Sequence, residues 1–251
     1  MIIPLFKSHY SVGRSILTLE HEASEPGEPD SIPLIVKELG LKHFYLVDNS
    51  ISGFIECYRS CKKLELDFTF GLQLTFVPNL TIKDEDSLRK EAKYIIFCRN
   101  SDGYKQLIKI WSKAAKDGFY YQPRLDFAAL KEHWNDNLSL AVPYYDSFIH
   151  NNAFNLAQCS NDYEILNTKP VFFVENNNLP FESILTQKVE KYAQSAGCDV
   201  LRAQSIYYKN QADFKAYLTM RCIHARTSIE KPNLENLSSD TFSVENWLNN
   251  K

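Results

Sequence analysis

The chain has 251 residues, of which 44% are hydrophobic and 24% charged, and its formal net charge is −3. A chain of this length buries roughly three quarters of the surface that its unfolded form exposes, so one large domain or two small ones can fold without disulfide or metal support. The composition excludes an intrinsically disordered protein and a membrane-spanning one. The N-terminus lacks the pattern of a secretory signal peptide, so we expect a cytoplasmic protein whose six cysteines stay reduced.

The near-balanced charge also bears on binding partners. A domain that binds DNA through its phosphates is expected to carry a basic excess or a basic stripe. The basic clusters of this chain, around Arg59 and around Lys109, occur at helical spacing among apolar residues, and we interpret them as solvated helix faces. We therefore expect the protein to meet DNA only indirectly.

Compact apolar blocks alternate with amphipathic stretches along the chain. Seven blocks have the length and composition of β-strands: Ile2–Phe6, His43–Val47, Phe68–Phe76, Tyr94–Cys98, Leu138–Val142, Val171–Val174 and Val200–Ile206. Five stretches have the apolar stripe of a helix: Ser31–Leu39, Gly53–Leu64, Asp102–Lys116, Pro180–Ser195 and Gln211–His224. This alternation predicts an α/β fold with a mostly parallel sheet, either an open doubly wound sheet or a closed barrel, with its site at the C-terminal ends of the strands.

Three segments interrupt the pattern. The segment His21–Asp30 contains two prolines, a glycine and four acidic residues, which predicts an exposed loop. Asn176–Asn178 lies between a predicted strand and a predicted helix and is interpreted as a turn. Residues 226–251 are polar and have little periodicity before Phe242–Leu248, so we expect a barrel domain over residues 1–225 followed by a strap or a linker stub.

Few residues stand out as catalytic candidates. The six histidines show no metal-ligand spacing, and the common phosphate-binding, zinc-binding and serine-nucleophile motifs are absent. His9 follows the first predicted strand and is either functional or a hydrogen-bonding loop residue. Cys57 and Cys61 complete the apolar face of a predicted helix, which favours buried side chains over thiolate ligands. Asp48 ends the second predicted strand and is either a carboxylate ligand or a cap for the following helix or turn.

The order of these segments resembles a known family. The opening FKSHYS, the stretch LGLKHFYLVDNSISGFIECYRSCKKLELDFTFGLQLTFV, and FCRNSDGYKQLIKIWSKA followed by GFYYQPRLDFAALKEH are similar to the N-terminal PHP (polymerase and histidinol phosphatase) domain of bacterial DNA polymerase III alpha subunits. The most specific part is Asp102–Asp126. The resemblance implies a distorted seven-stranded (β/α) barrel of PHP type.

Active members of that family hold up to three metal ions with His, Asp, Glu and Cys side chains to hydrolyse phosphoesters. Aligned on Tyr10 and Ser11, the resemblance puts the family's three opening histidines on Ile3, Leu5 and Lys7. Its next aspartate is kept as Asp48, and the histidine after it is replaced by Asn49. The remaining ligands fall on Gln73, near Lys93 and Tyr144, and on Ser205 and Tyr207. We group the positions near the former site, with the neighbouring His9, as the vestigial cleft positions: Ile3, Leu5, Lys7, His9, Asp48, Asn49, Gln73, Ser205 and Tyr207. Aliphatic side chains bind no metal, and neutral amides bind zinc or manganese poorly. The resemblance therefore implies a domain without metal, cofactor or catalytic residue.

The same resemblance implies a role in DNA replication. A catalytically inactive PHP domain would act as a structural or protein-docking part of a DNA polymerase III alpha-like polymerase, contacting the polymerase palm or thumb region or a proofreading exonuclease. The parent family consists of DNA-directed DNA polymerases, which are nucleotidyltransferases. Because the chain ends where palm sequences would begin, we expect either an excised domain or a separate subunit, located in the host cytoplasm if it is encoded by a phage.

Two alternatives to this role stay open. A metal-dependent phosphoesterase or nuclease could use a rearranged site of His9, Asp48, Gln73 and Glu175, although a helix cap at the neighbouring turn is the simpler role for Glu175. A stand-alone binding protein would instead target a replication factor.

An aromatic segment supplies a possible docking surface for a partner. It consists of Phe119, Tyr120 and Tyr121 together with Arg124. The same residues could instead pack the lower layer of the barrel.

Overall fold

A computed structural model describes residues 2–22, 27–230 and 239–251 of the chain. The chain divides into two compact units, each with its own core. The first unit comprises Met1–Phe70, Glu175–Pro180 and Arg202–Lys251, and the second comprises Gly71–Val174 and Phe181–Leu201.

The described residues form eight strands that belong to one hydrogen-bonded sheet. The strands are β1 (Ile3–Phe6), β2 (His43–Asp48), β3 (Asp67–Phe76), β4 (Ala92–Cys98), β5 (Arg124–Leu125), β6 (Leu138–Val142), β7 (Val171–Val174) and β8 (Val200–Ile206). Their order is β2-β1-β8-β7-β6-β4-β3-β5, and β2 also pairs with β3. Seven strands thus close a ring, and β5 pairs with β3 beside it. The predicted α/β class with a seven-stranded (β/α) barrel is confirmed.

Helices lie between most of these strands. The α-helices are α1 (Ile32–Glu38), α2 (Phe54–Leu64), α3 (Glu85–Arg89), α4 (Ser101–Lys116), α5 (Phe127–Lys131), α6 (Phe148–Phe154), α7 (Glu182–Ala196), α8 (Phe214–Ala225) and α9 (Val244–Asn250). Among the described residues, short 3₁₀ helices cover Asp162–Leu166 and Gln211–Asp213. Within the described ranges, no helix combines the length and the apolar character that crossing a membrane requires.

The first unit is built around β1. This strand pairs in parallel with β2, where Leu5 lies opposite Tyr45, and with β8, where Leu5 lies opposite Ser205. Helix α1 begins where the Ser31 hydroxyl accepts a hydrogen bond from the backbone N–H of Leu34. The described part of the predicted loop His21–Asp30 is largely exposed, and residues 23–26 lie outside the described residues.

The second unit contains the exception to the mostly parallel sheet that the sequence predicts. Strand β4 runs antiparallel to both β3 and β6, while β6 pairs in parallel with β7. The segment between β3 and β4 contains only the five-residue helix α3. Without a long crossover helix the chain returns beside β3 in the opposite direction. The core is aromatic, and the Tyr94 ring lies 5.0 Å from the rings of both Phe76 and Phe127.

Residues 239–251, the described end of the predicted tail, pack within the first unit. Phe242 is fully buried and stacks on the Tyr207 ring at 5.1 Å. Trp247 of α9 is also buried, and its indole N–H donates to the backbone carbonyl of Ile2 at 3.0 Å. The predicted tail segment 231–238 lies outside the described residues. The predicted domain boundary at residue 225 stays a prediction.

Candidate functional site

Asp48 lies at the C-terminal end of β2 in the first unit and is completely buried. Its carboxylate accepts hydrogen bonds from the backbone N–H of Ser8 at 2.9 Å, from the Ser8 hydroxyl at 2.6 Å and from the Ser11 hydroxyl at 2.7 Å. Hydrogen bonds to an ionised acceptor are among the stronger ones in proteins. The carboxylate is therefore engaged by the loop that follows β1.

The two serines turn the chain after β1 so that both reach Asp48. The backbone N–H of Ser11 donates to the Ser8 carbonyl at 3.0 Å, which closes a tight turn. The Ser11 hydroxyl also accepts from the backbone N–H of Asn49 at 2.9 Å. Sequence analysis missed the role of both serines. Their position directly after a strand, on either side of His9, is the local signal that could have indicated it.

The capping interpretation of Asp48 is wrong. Helix α2 begins after Gly53, and no side chain caps it. Gly53 instead leaves room for the carboxylate, since a Cβ at this position would lie 3.2 Å from an Asp48 carboxylate oxygen and 2.8 Å from the Tyr10 ring. Tyr10 in turn donates its hydroxyl to Glu56, and this hydrogen bond, together with burial, raises the pKa of the Tyr10 hydroxyl to about 12.

The three positions where the family pattern begins form no metal-ligand set. Ile3 and Leu5 lie on β1 with aliphatic side chains. Lys7 is buried, and its ammonium donates to the Asn49 amide oxygen at 2.8 Å. The Lys7 charge thus lies beside Asn49, which replaces a histidine of the family pattern.

His9 is exposed. Its Nδ1 atom lies 3.3 Å from the Leu17 carbonyl oxygen, and its ring lies 4.3 Å from the Tyr10 ring. These contacts are those of a loop residue that bonds to the backbone.

Glu175 forms a second buried carboxylate centre in the first unit. It accepts from the Ser205 backbone N–H at 2.9 Å, from the Ser205 hydroxyl at 2.7 Å and from the Asn177 side-chain amide at 3.1 Å. Asn177 accepts in turn from the Gln204 side chain at 2.6 Å and from the Thr241 hydroxyl at 3.0 Å. The helix-cap interpretation of Glu175 is wrong, because the next helix begins only at Glu182.

Tyr207 is buried next to this network. Its ring stacks on that of Tyr217 at 5.5 Å. Burial, followed by the neighbouring Tyr217 and Glu175, raises the pKa of the Tyr207 hydroxyl above its ordinary value. The hydroxyl therefore stays protonated at neutral pH and is not available as a general base.

The remaining aligned positions belong to the second unit. Gln73 is half-buried on β3, opposite Ile95 of β4. The Lys93 ammonium donates to the Asp146 carboxylate at 3.2 Å. The Tyr144 hydroxyl donates to the Glu182 carbonyl at 2.8 Å. None of these three side chains has the chemistry of the family's histidine, cysteine or carboxylate ligands.

The residues present do not fit a PHP metal cluster. Among the residues that the structure describes, no group of three or more His, Cys, Asp or Glu side chains could hold a metal ion. Asp48 and Glu175 each accept three hydrogen bonds from within the first unit, so most of the lone pairs that could coordinate a cation are already used. Cys57 and Cys61 are buried as predicted, with their sulfur atoms 3.8 Å apart. Burial, assisted by Cys61, raises the pKa of the Cys57 thiol and disfavours a thiolate ligand.

The predicted docking surface is only partly exposed. Phe119 and Tyr121 are 52% and 78% exposed, and the Tyr120 ring lies 4.8 Å from that of Tyr121. We call Phe119, Tyr120 and Tyr121 the aromatic turn. The assignment of Arg124 to this surface is wrong, because Arg124 is fully buried and its guanidinium donates to Ser87 at 3.0 Å. The guanidinium satisfies buried oxygen atoms below the turn and cannot contact a partner.

Comparison with known proteins agrees with the sequence pattern and the fold. The family profile described as "PHP domain" matches residues 27–169, more than half of the chain. The chain belongs to the PHP domain family. This membership confirms the resemblance that the segments from FKSHYS to GFYYQPRLD indicated.

Several relatives of the chain share the name of one polymerase subunit. The chain is 25% identical to "DNA polymerase III subunit alpha" of Borreliella burgdorferi over 222 residues, which is 83% of the chain and 19% of the relative. Identity to the protein of the same name from Thermus aquaticus is 23% over 158 residues, 60% of the chain and 13% of the relative. Identity to the protein of that name from Helicobacter pylori (strain 26695) is 35% over 103 residues, which is 39% of the chain and 8% of the relative. The chain thus spans less than a fifth of the length of these relatives.

Proposed function

We propose that this PHP domain is catalytically inactive and acts as a structural and protein-docking module of a DNA polymerase III alpha-like replicative polymerase. The observation that carries the proposal is the set of three hydrogen bonds from Ser8 and Ser11 to the carboxylate of Asp48. Asp48 is the aspartate that the chain retains from the family's ligand pattern, and its acceptor capacity is used to hold a loop.

Ligand chemistry supports the loss of catalysis. Zinc and manganese sites in proteins are built from imidazole, thiolate and carboxylate groups, whereas Ile3 and Leu5 supply none of these. The Lys7 ammonium adds a positive charge that would repel a cation. With the buried carboxylates hydrogen-bonded internally, the described part of the domain offers no cluster of metal ligands that would activate water or stabilise a phosphoryl transition state. We therefore propose that it binds no metal and no other cofactor.

The proposed partners are the polymerase palm or thumb region and a proofreading exonuclease. Both are what the resemblance to DNA polymerase III alpha subunits implies, and both leave contact with DNA indirect. The chain's formal net charge of −3 supports protein contacts over direct phosphate contacts. A cytoplasmic location, or the host cytoplasm for a phage protein, is part of this proposal.

Purification of the tagged full chain from its native host tests the partnership. We expect mass spectrometry to recover a polymerase polypeptide or an exonuclease with the tagged chain and not with an untagged control. Recovery of only a protein unrelated to replication, or of no protein above the control, would contradict the proposal. Recovery of a single host replication factor by a phage-encoded chain would favour a stand-alone binding protein.

A further inference from the structure

The aromatic turn is an apolar surface that the second unit leaves open to solvent. Two of its three rings are more than half exposed, and both belong to large side chains whose burial would stabilise the protein. Exposed aromatic side chains that lie next to one another are typical of surfaces that bind a partner.

The backbone of the turn holds Tyr121 in an unfavourable conformation. Its φ angle is +58°, in the left-handed region that non-glycine residues rarely adopt. The backbone N–H of Tyr120 donates to the Gln122 carbonyl at 3.1 Å, which fixes the tight reversal around Tyr121. A residue persists in this conformation only where the surrounding structure holds it, so the backbone of the turn is fixed at Tyr121.

A buried arginine makes the base of the turn rigid. The Arg124 guanidinium donates to the Ile82 carbonyl at 3.1 Å and lies 4.9 Å from the centre of the Tyr120 ring, on which it makes a cation–π contact. Gly118 lies so close that a Cβ there would be 1.9 Å from the Arg124 carbonyl oxygen. A turn that is ordered before binding loses little conformational entropy when a partner binds.

The charges beside the turn indicate the chemistry of that partner. Asp84 and Glu85, at the start of helix α3, are exposed. Asp84 accepts from the backbone N–H of Ser87 at 2.8 Å, and the Ser87 hydroxyl accepts at 3.0 Å from the Arg124 guanidinium that contacts the Tyr120 ring. Burial, the neighbouring Tyr121 and the carboxylates of Asp84 and Glu85 raise the pKa of the Tyr120 hydroxyl, against the opposing effect of the Arg124 guanidinium. Aromatic faces and carboxylates together attract an arginine or lysine side chain.

We propose that the aromatic turn, together with Asp84 and Glu85, docks a segment of the polymerase polypeptide that presents an arginine or lysine next to an apolar side chain. The proposal rests on the proposed function and adds to it the position and the chemistry of one contact. The apolar side chain packs against Phe119 and Tyr121, and the cation pairs with the carboxylates of Asp84 and Glu85 beside the turn.

Defined peptide probes test this surface without a natural partner. A fluorescein-labelled peptide of alternating leucine and arginine is titrated with the full chain, and a second peptide carries glutamate in place of arginine. We expect saturable binding of the arginine peptide only, which Tyr121→Ala weakens about tenfold. Tyr58→Ala removes another half-exposed tyrosine, on α2, and serves as the matched control, with less than about a twofold change.

A second pair of variants tests the contribution of the carboxylates to peptide binding. Glu85→Gln should weaken binding of the arginine peptide about threefold, an effect that decreases as salt is added, because an exposed ion pair is screened. Glu190→Gln, an exposed site on α7, should leave the affinity unchanged.

Several results would overturn the proposed surface: no binding of the arginine peptide, equal binding of the glutamate peptide, or equal losses in Tyr121→Ala and Tyr58→Ala. A chain that bound metal but kept this peptide contact would overturn the proposed function alone. A metal-free chain that failed to bind the peptide would overturn this inference alone.

Discussion

The Ser8 hydroxyl and backbone N–H both donate to the carboxylate of Asp48, at 2.6 and 2.9 Å. Ser8 directly follows the segment that carries Ile3, Leu5 and Lys7 in place of the family's histidines. An aspartate from a metal-binding pattern thus serves here to hold a loop against a strand end. The change from ligand to hydrogen-bond acceptor is the centre of our account, and it makes Asp48 a stability residue.

Asp48→Asn should therefore destabilise the protein. The amide keeps the size of the side chain but removes the charge and directs an N–H₂ group towards a hydroxyl or an N–H donor. We expect a loss of roughly 2–4 kcal/mol in the free energy of unfolding, measured by urea denaturation. The matched control Asp136→Asn, at an exposed position, should change it by less than about 0.5 kcal/mol. Equal effects of the two substitutions would show that the Asp48 carboxylate is not a structural acceptor.

The end of the chain should contribute to the stability of the first unit. Trp247 is 2% exposed, so Trp247→Ala should cost roughly 3–5 kcal/mol of unfolding free energy through lost packing and the lost hydrogen bond to Ile2. Its neighbour Leu248 is 43% exposed, and Leu248→Ala should cost less than about 0.5 kcal/mol. If both variants were as stable as the parent protein, residues 239–251 would be a dispensable tail.

Glu91 should make stability depend on pH. Burial raises the pKa of its carboxyl above the ordinary value of 4.5, against the opposing effects of Arg124 and Gln122. The folded state therefore holds this proton more tightly than the unfolded state. The stability that this proton binding adds is fully present below pH 4.5 and is lost as the pH rises through the folded-state pKa. In Glu91→Gln that part of the pH dependence should be missing.

The measurement for Glu91 is the unfolding free energy of both proteins between pH 4 and 7. The stability of the variant relative to the parent should increase with pH across this range. The substitution also removes the pairing with Arg124, whose guanidinium lies 3.8 Å from the Glu91 carboxylate. This loss shifts the unfolding free energy of the variant by a constant amount and does not change how that free energy varies with pH. Parallel curves for the two proteins would contradict the prediction.

The strain at Tyr121 predicts a difference between two small substitutions. Both Tyr121→Gly and Tyr121→Ala remove the ring, but only glycine adopts a φ of +58° without steric cost. The glycine variant should be the more stable by about 1 kcal/mol, although both should bind the arginine peptide weakly. Higher stability of the alanine variant, measured by thermal and urea unfolding, would show that the turn is not held in the left-handed conformation.

Much of the fold could be predicted from the sequence. The strands Leu138–Val142 and Val171–Val174 have the predicted bounds because each is a compact apolar block, and Val200–Ile206 also has its predicted bounds. The two-residue strand β5 and the five-residue helices α3 and α5 are too short to produce a periodic pattern, and they were missed. The direction of β4 was also missed, since it depends on pairing with strands distant in sequence.

The candidate site was predictable in its residues but not in its contacts. Asp48, Glu175 and Lys7 were all identified, because the first two follow strands and Lys7 falls on a family ligand position. Their partners come from segments far away in the chain, as with Ser205, which lies 30 residues from Glu175. No local spacing encodes such pairs. The burial of Arg124 was missed for the same reason, since an arginine in a loop-like segment is usually exposed.

Metal binding tests the central claim most directly. The full chain is dialysed against zinc and against manganese, its metal content is measured, and hydrolysis of a generic phosphoester is followed in parallel with the Asp48→Ala variant. We predict no stoichiometric metal in either protein and no hydrolysis above the buffer. Stoichiometric metal together with phosphoester hydrolysis, both abolished by Asp48→Ala, would contradict the account and establish a phosphoesterase with a rearranged site.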